Sequence, residues 1–153
     1  MSEQQPIPTI EGKEGTPNPT ELAWAFPDVK PGQHPFGGRV IVQLRRIKKT
    51  AGRIIIVDET KENEKWNNMI GKVVAIGPLA FKNRDTMQPW AEGSWAEIGD
   101  FVRVPRWGGD RWERFDPNET DDALKEPVLF MTLNDHELIA KITDDPLSFK
   151  AYV

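Results

Sequence analysis

The sequence contains no cysteine and only two histidines among its 153 residues. Without cysteine the chain forms no disulfide and offers no thiolate to zinc, which is typical of proteins from a reducing compartment. The two histidines, His34 and His136, belong to no cluster with the spacing of metal ligands. We therefore expect neither a disulfide-stabilised fold nor a metal site.

Long hydrophobic runs are also missing. The mean hydropathy is −0.56, and no stretch approaches the roughly 20 apolar residues that span a bilayer. Residues 1–9 combine acids and prolines where a signal peptide needs a basic start and an apolar core. We expect a cytoplasmic protein that does not associate with a membrane.

Positive charge is not in excess, because 20 Lys and Arg residues face 24 Asp and Glu residues and the net charge is −4. A general nucleic-acid binder needs a basic surface to neutralise phosphates. Four arginines do alternate with two tryptophans between residues 103 and 114, a pattern found on surfaces that bind single strands. Cross-strand Trp and Arg pairs on a hairpin explain the pattern as well, and the acidic total favours the hairpin.

Prolines and glycines, 13 and 12 in number, divide the sequence into short segments without a continuous amphipathic helical pattern. Residues 39–45 alternate strictly, with Val40, Val42 and Leu44 on one face, which predicts a half-buried strand. Further strands are predicted over residues 72–76, 100–104, 128–133 and 138–142. Short strands between turn signals indicate an all-β protein, either a small barrel or a sandwich.

Three segments lie outside these strands. Residues 1–34 predict an extended arm, because repeated prolines disfavour both helix and sheet, and Trp24 and Phe26 are its expected anchors. Two connections, residues 46–69 and 79–97, are too long for tight turns, and connections of this length are usually functional or disordered.

Four consecutive β-branched residues, Ile54 to Val57, are the most informative feature of the first connection. A basic, Gly-containing stretch precedes them and a run of charges follows. Two interpretations are open. The four residues form a strand that is buried on both faces, or they belong to a segment that becomes ordered when its isoleucines enter an apolar groove on a partner.

Five segments resemble, in order, motifs of the GroES family of co-chaperonins. Residues 35–42, Pro-Phe-Gly-Gly-Arg-Val-Ile-Val, are similar to its opening Pro-Leu-x-Asp-Arg-Val, and residues 51–56, Ala-Gly-Arg-Ile-Ile-Ile, to its mobile loop, Ala-Gly-Gly-Ile-Val-Leu. Residues 71–77 resemble its Gly-x-Val-x-Ala-Val-Gly strand, residues 99–102 its Val-Gly-Asp-x-Val turn, and residues 128–140 its closing Val-Leu-Ile-Met-x-x-x-Asp-Ile-Leu-Ala. Gly38 and Arg53 depart from the family pattern, which has Asp and Gly there, and one extra residue follows Asp135.

The resemblance implies a small, all-β GroES-like barrel over residues 35–143. A Pro-rich extension, residues 1–34, precedes this domain, and a tail, residues 144–153, follows it. Residues 46–69 correspond approximately to the mobile loop and residues 79–97 to a roof-like loop. The arm, the Trp-rich second loop, the long segment 106–127 and the tail are typical of divergent, phage-encoded members.

The resemblance also implies a homo-oligomeric ring, expected to be a heptamer, in which the last strand of one subunit pairs with the first strand of its neighbour. The expected interface residues are Arg39, Val40, Val42, Leu138, Ile139 and Ala140. The expected chaperonin-binding residues are Gly52, Ile54, Ile55, Ile56 and Val57. Phe81, Trp90 and Trp95 would close the roof or line the folding cavity, or else pack into the core of their own subunit.

The function implied is that of a co-chaperonin, which caps a GroEL-type chaperonin and encloses a client protein in an ATP-dependent cycle. The chaperonin binds the ATP, so we expect this chain to need no cofactor, and its hydroxyl groups lack the neighbouring base of a hydrolase. If phage-encoded, it would act in the host cytoplasm. The alternative is a virion or assembly protein that reuses the barrel, with the arm and tail locking subunits together.

Overall fold

The computed structural model describes residues 19–46, 50–51, 54–55, 68–120 and 126–149. These residues contain one short α-helix, eight β-strands and a 3-10 helix over Asp135–Glu137. In chain order the elements are α1 (Pro19–Ala25), β1 (Arg39–Leu44), β2 (Thr50–Ala51), β3 (Ile54–Ile55), β4 (Ile70–Ile76), β5 (Phe101–Arg103), β6 (Asp110–Arg114), β7 (Val128–Asn134) and β8 (Ala140–Lys141). The predicted all-β fold is confirmed.

Six of the strands form one antiparallel sheet in the order β6-β7-β1-β4-β5-β8. Its longest members, β4 and β7, are rich in the β-branched and large apolar side chains that suit a pleated, buried surface. The ladder between β1 and β4 shifts register between Ile41 and Val42, as at a β-bulge. The predicted strands correspond to β1, β4, β5, β7 and β8, whereas β6 was not among them.

Strand β1 lies in the middle of this sheet. It pairs with β7 on one side and with β4 on the other, so both of its edges are used within the subunit. The prediction that β1 pairs with a neighbouring subunit, with Val40 and Val42 at the interface, is therefore wrong. Both valines are fully buried in the core of their own chain, and only Arg39 at the start of the strand is exposed.

Both faces of the sheet are covered. The main core lies on one face and combines alternate residues of β1 and β7, namely Val40, Val42, Leu44, Leu129, Met131 and Leu133. On the other face, Ile41 and Phe130 pack with Val29 from the N-terminal arm. The prediction that β1 is half-buried is wrong, because its second face, including Gln43, is covered by the N-terminal arm.

The described part of the arm packs against its own subunit. Ala25 and Phe26 are buried with Ile70, and the rings of Phe26 and Phe101 have centroids 5.0 Å apart. Gln43 Nε2 donates a hydrogen bond to the carbonyl of Pro27 over 2.9 Å. These contacts make residues 22–31 a cover for the second face of the sheet.

Helix α1 contradicts the expectation that the prolines of the arm exclude helical structure. The helix begins at Pro19. Proline is tolerated in the first turn of a helix because the amide that it lacks would have no partner there, and its fixed φ suits the helix. In the part of the chain that the structure describes, no helix has the length and apolar character needed to cross a membrane.

Candidate functional site

The Ile-rich segment forms a small hairpin of its own. Strands β2 and β3 pair antiparallel, with Thr50 opposite Ile55 and Ala51 opposite Ile54. Among the described strands these two pair only with each other, so they form a sheet separate from the six-stranded one. Of the predicted chaperonin-binding residues, Ile54 and Ile55 lie on β3, while Gly52, Ile56 and Val57 lie outside the described residues.

The two ends of the connection that carries this hairpin are held side by side. The backbone N–H of Arg45, just after β1, donates to the carbonyl of Ile70 over 3.0 Å. Asn68, just before β4, is fully buried, and its Nδ2 donates to the carbonyl of Arg45 over 2.6 Å. Its Oδ1 accepts the Ile70 N–H over 3.0 Å. The connection therefore leaves and re-enters the sheet at one tied point.

Arg46 joins this point to the N-terminal arm. Its backbone N–H donates to the carbonyl of Ala25 over 2.9 Å, and its Nε donates to the carbonyl of Trp24 over 2.8 Å. The guanidinium carbon also lies 4.4 Å from the centre of the Trp24 ring, a cation–π geometry. Burial lowers the pKa of Arg46, and the negative charge of Glu126 opposes that effect. Sequence reasoning did not select Arg45, Arg46 or Asn68, because each has a partner at least 22 residues away in the chain.

A second surface lies at the β8 edge of the sheet. Of the predicted interface residues on this side, Leu138 is buried, whereas Ile139 is 53% exposed and Ala140 is exposed on β8. Beside them is a groove of about 450 Å³, lined also by Trp95 and Lys141. The buried indole N–H of Trp95 has no hydrogen-bond acceptor in the described part of the chain. The structure thus brings Leu138, Ile139 and Ala140 together at one edge, apart from Val40 and Val42 in the core.

The predicted roof residues form an aromatic cluster. The Phe81 ring centroid lies 5.8 Å from that of Trp90 and 6.4 Å from that of Trp95, and the two tryptophans are 4.6 Å apart. Phe81 is only 3% exposed and belongs to the main core, so its assignment to a cavity lining is wrong. Trp90 and Trp95 are partly buried against the same core. The cluster packs into the core of its own subunit, which was the alternative to a place in the roof or the cavity lining.

The alternating Arg and Trp residues after β5 do not form an open stacking surface. Trp112 on β6 stacks on Phe130 of β7, with centroids 5.8 Å apart, and its Nε1 donates to the carbonyl of Pro31 over 2.8 Å. Arg106 lies over the Trp107 ring at 4.9 Å. Trp112 is therefore a cross-strand partner in the sheet, and the cation–π pair of Arg106 and Trp107 joins adjacent residues. The described residues contain no group of three His, Cys, Asp or Glu residues that could hold a metal ion.

Comparison with known proteins identifies the family. No curated protein matches the chain. The profile of the Cpn10 family, described as the chaperonin 10 Kd subunit, matches residues 33–119, which is more than half of the 153 residues. The matched region contains β1 to β6 and the Ile-rich hairpin, and it leaves α1, β7 and β8 outside. This chain therefore belongs to the Cpn10 family, the GroES-type co-chaperonins.

Proposed function

We propose that this co-chaperonin caps a GroEL-type chaperonin through its Ile-rich hairpin, with Ile54, Ile55 and Ile56 in an apolar groove on the ring. The observation that carries the proposal is the separate β2–β3 sheet inside the Cpn10 match. A hairpin that adds nothing to the pairing of the main sheet has no evident role in holding that sheet together. Isoleucines on a hairpin that is separate from the main sheet suit an apolar groove on a second protein.

Each hairpin would bind weakly, because a short segment offers few contacts and fixing its side chains on a partner costs conformational entropy. Several hairpins on one ring would bind together, since the first contact raises the effective concentration of the others. The chaperonin binds and hydrolyses ATP, and a change in its groove would release all the hairpins. The chain would enclose a client protein without catalysis or a cofactor of its own.

Assembly of the ring would use the β8 edge. An edge strand presents unpaired backbone N–H and C=O groups, and a strand from a neighbouring copy could pair with them while apolar side chains enter the adjacent groove. Ile139, which is 53% exposed, offers an apolar contact there. The heptameric ring, the phage origin and the cytoplasmic location stay predictions.

The proposal is tested by mixing the purified chain with a GroEL-type chaperonin and ATP, and then measuring complex formation by size and the refolding of a client that requires capping. We expect the wild-type chain to form a capped complex. We expect Ile55→Asp to abolish it, because a carboxylate in an apolar groove loses its hydration without a partner. The matched control is Ile98→Asp, since Ile98 is an isoleucine that is 66% exposed and lies outside the hairpin.

Two results would contradict the proposal. One is an Ile55→Asp variant that binds as tightly as the wild-type chain while both are folded. The other is a stable oligomer of the wild-type chain that ignores the chaperonin, which would favour the structural protein. The structural alternative has less support, because Phe26 of the arm and Pro146 of the tail are buried against their own subunit.

A further inference from the structure

We propose that α1 and the C-terminal residues Pro146 and Leu147 act as a clamp that sets the direction in which the Ile-rich hairpin leaves the sheet. This inference rests on the proposed function, since the direction matters only if the hairpin binds a partner. It assigns a positioning role to Trp24, Arg45 and Arg46, none of which would contact the chaperonin.

The arm contributes the first half of the clamp. Arg46 is the last described residue before the connection, and it is held to the arm by two hydrogen bonds and by the Trp24 ring. The two hydrogen bonds end on the carbonyls of Ala25 and Trp24, at the C-terminal end of α1, where orphan carbonyls and the helix dipole favour a cation. Arg46 therefore fixes the start of the connection to α1, while the backbone of Arg45 ties it to the sheet.

The tail contributes the second half. Arg45 is buried, and its Nη1 donates to the carbonyl of Pro146 over 2.7 Å. Leu147, next in the chain, packs in the same apolar cluster as Leu22 and Trp24 of α1. The arm and the tail are remote in sequence, yet they meet at the two residues that precede the hairpin connection.

Most of the clamp lies outside the residues that match the Cpn10 profile. The match spans residues 33–119, and α1, Pro146 and Leu147 lie beyond it. Asn68 already ties the two ends of the connection to each other within the matched region. Arg45 and Arg46 make further contacts that are not needed to hold the two ends of the connection together. These contacts restrain the orientation of the residues at which the connection leaves the sheet.

Such a restraint would raise the affinity of the chain for a chaperonin ring with several binding grooves. If the start of the connection is already held in the bound orientation, it loses less conformational freedom on binding, which is the effect of preorganisation. Because several hairpins bind at once, a loss of about threefold at each one becomes a loss of more than about tenfold for the whole assembly. The clamp is therefore expected to act on chaperonin affinity more than on folding.

The test compares full-length variants for three properties: oligomeric state, thermal unfolding and affinity for the chaperonin with ATP. Trp24→Ala removes the ring under Arg46 but keeps the backbone carbonyl, and Arg46→Lys keeps the charge but loses the Nε donor. Both are expected to bind at least about tenfold more weakly as intact oligomers. Trp24→Phe keeps an aromatic face and is expected to restore most of the affinity.

The matched control is Trp107→Ala, since Trp107 also lies under an arginine but is 70% exposed and takes no part in the clamp. It is expected to leave affinity unchanged. Hydrogen exchange of the Arg45 and Arg46 amides provides a readout independent of the chaperonin, and Trp24→Ala should make it faster.

The outcomes separate the clamp from the proposed function. If Ile55→Asp abolishes binding while Trp24→Ala and Arg46→Lys bind as the wild-type chain does, the clamp is refuted and the capping function stands. Weakening by Trp107→Ala equal to that by Trp24→Ala would also refute the clamp. If Ile55→Asp binds as the wild-type chain does, the hairpin is not the binding element, and the clamp fails with that assignment. If the wild-type chain itself does not bind the chaperonin, the capping function fails, and the clamp fails with it.

Discussion

Replacing Asp135 by alanine is expected to destabilise the fold strongly, although this residue starts only a single 3-10 turn. Asp135 is buried, and its Oδ2 accepts the backbone N–H of Phe81 over 2.7 Å. Its Oδ1 accepts the N–H of His136, also over 2.7 Å. Phe81 has φ 62°, a left-handed conformation that costs a residue other than glycine about 1–2 kcal/mol. The carboxylate therefore holds a strained residue at the centre of the aromatic cluster.

The expected loss follows from the first of these hydrogen bonds. A hydrogen bond to a charged group contributes about 1.5–3 kcal/mol, and its removal leaves the Phe81 N–H buried without an acceptor. The bond to His136 joins adjacent residues beside an exposed side chain, so we count it as small. We expect Asp135→Ala to lower the free energy of unfolding by about 3 kcal/mol, or Tm by about 9 °C for a chain of this size. Asp135→Asn keeps an acceptor and should lose about half as much.

The assay is thermal unfolding followed by circular dichroism and by tryptophan fluorescence, at one fixed subunit concentration because association shifts the apparent stability. Trp90 and Trp95, two of the six tryptophans, pack on Phe81, so part of the fluorescence reports on this cluster. Asp85→Ala is the control, since Asp85 is an exposed aspartate in the same connection. The reasoning would be refuted by an Asp135→Ala variant within about 0.5 kcal/mol of the wild-type chain, the range of ordinary surface substitutions.

Two further predictions concern the β8 edge and a close backbone approach. Ile139→Asp should shift the chain to smaller oligomers in analytical ultracentrifugation while Ile98→Asp does not, and an unchanged oligomer would remove the β8 edge from the proposed interface. Gly77→Ala should cost about 3 kcal/mol or more, since its Cβ would collide with the carbonyl oxygen of Gly37, which cannot move aside as a side chain can. Gly93→Ala, with φ 76° but open space around the new Cβ, should cost only about 1 kcal/mol by chemical denaturation. Equal losses for the two glycine variants would contradict the steric argument.

The strands that were predictable from the sequence are those with a strong local signal. Strands β1, β4 and β7 have apolar runs or alternation bounded by turn residues, and each appears in the predicted place. Strand β6, Asp-Arg-Trp-Glu-Arg, has a single apolar residue, so no periodicity marks it. Its place in the sheet depends on pairing with β7, a contact between segments that are separated in sequence.

The two errors about β1 arise because a local sequence pattern does not encode tertiary contacts. Alternation shows that Val40 and Val42 share a face, but it does not show what covers the opposite face. There the arm accepts a hydrogen bond from Gln43, so a polar side chain that suggests solvent is in fact buried. The position of β1 within the sheet is likewise a property of the topology, which local patterns do not encode. The Ile-rich segment was predictable as a feature, because four β-branched residues between charged stretches are visible without the fold.

The coverage of both sheet faces limits how copies of this chain can assemble. In the part of the chain that the structure describes, one face is filled by the main core and the other by the arm, so neither presents a broad apolar surface to a neighbour. The edges remain, and of the two end strands, β8 has the groove and the exposed Ile139 beside it, whereas β6 carries mainly charged side chains. Charged side chains on an edge strand oppose pairing with another chain. The proposed assembly through β8 would also leave the β2–β3 hairpin unpaired with the main sheet, as the proposed binding to a chaperonin requires.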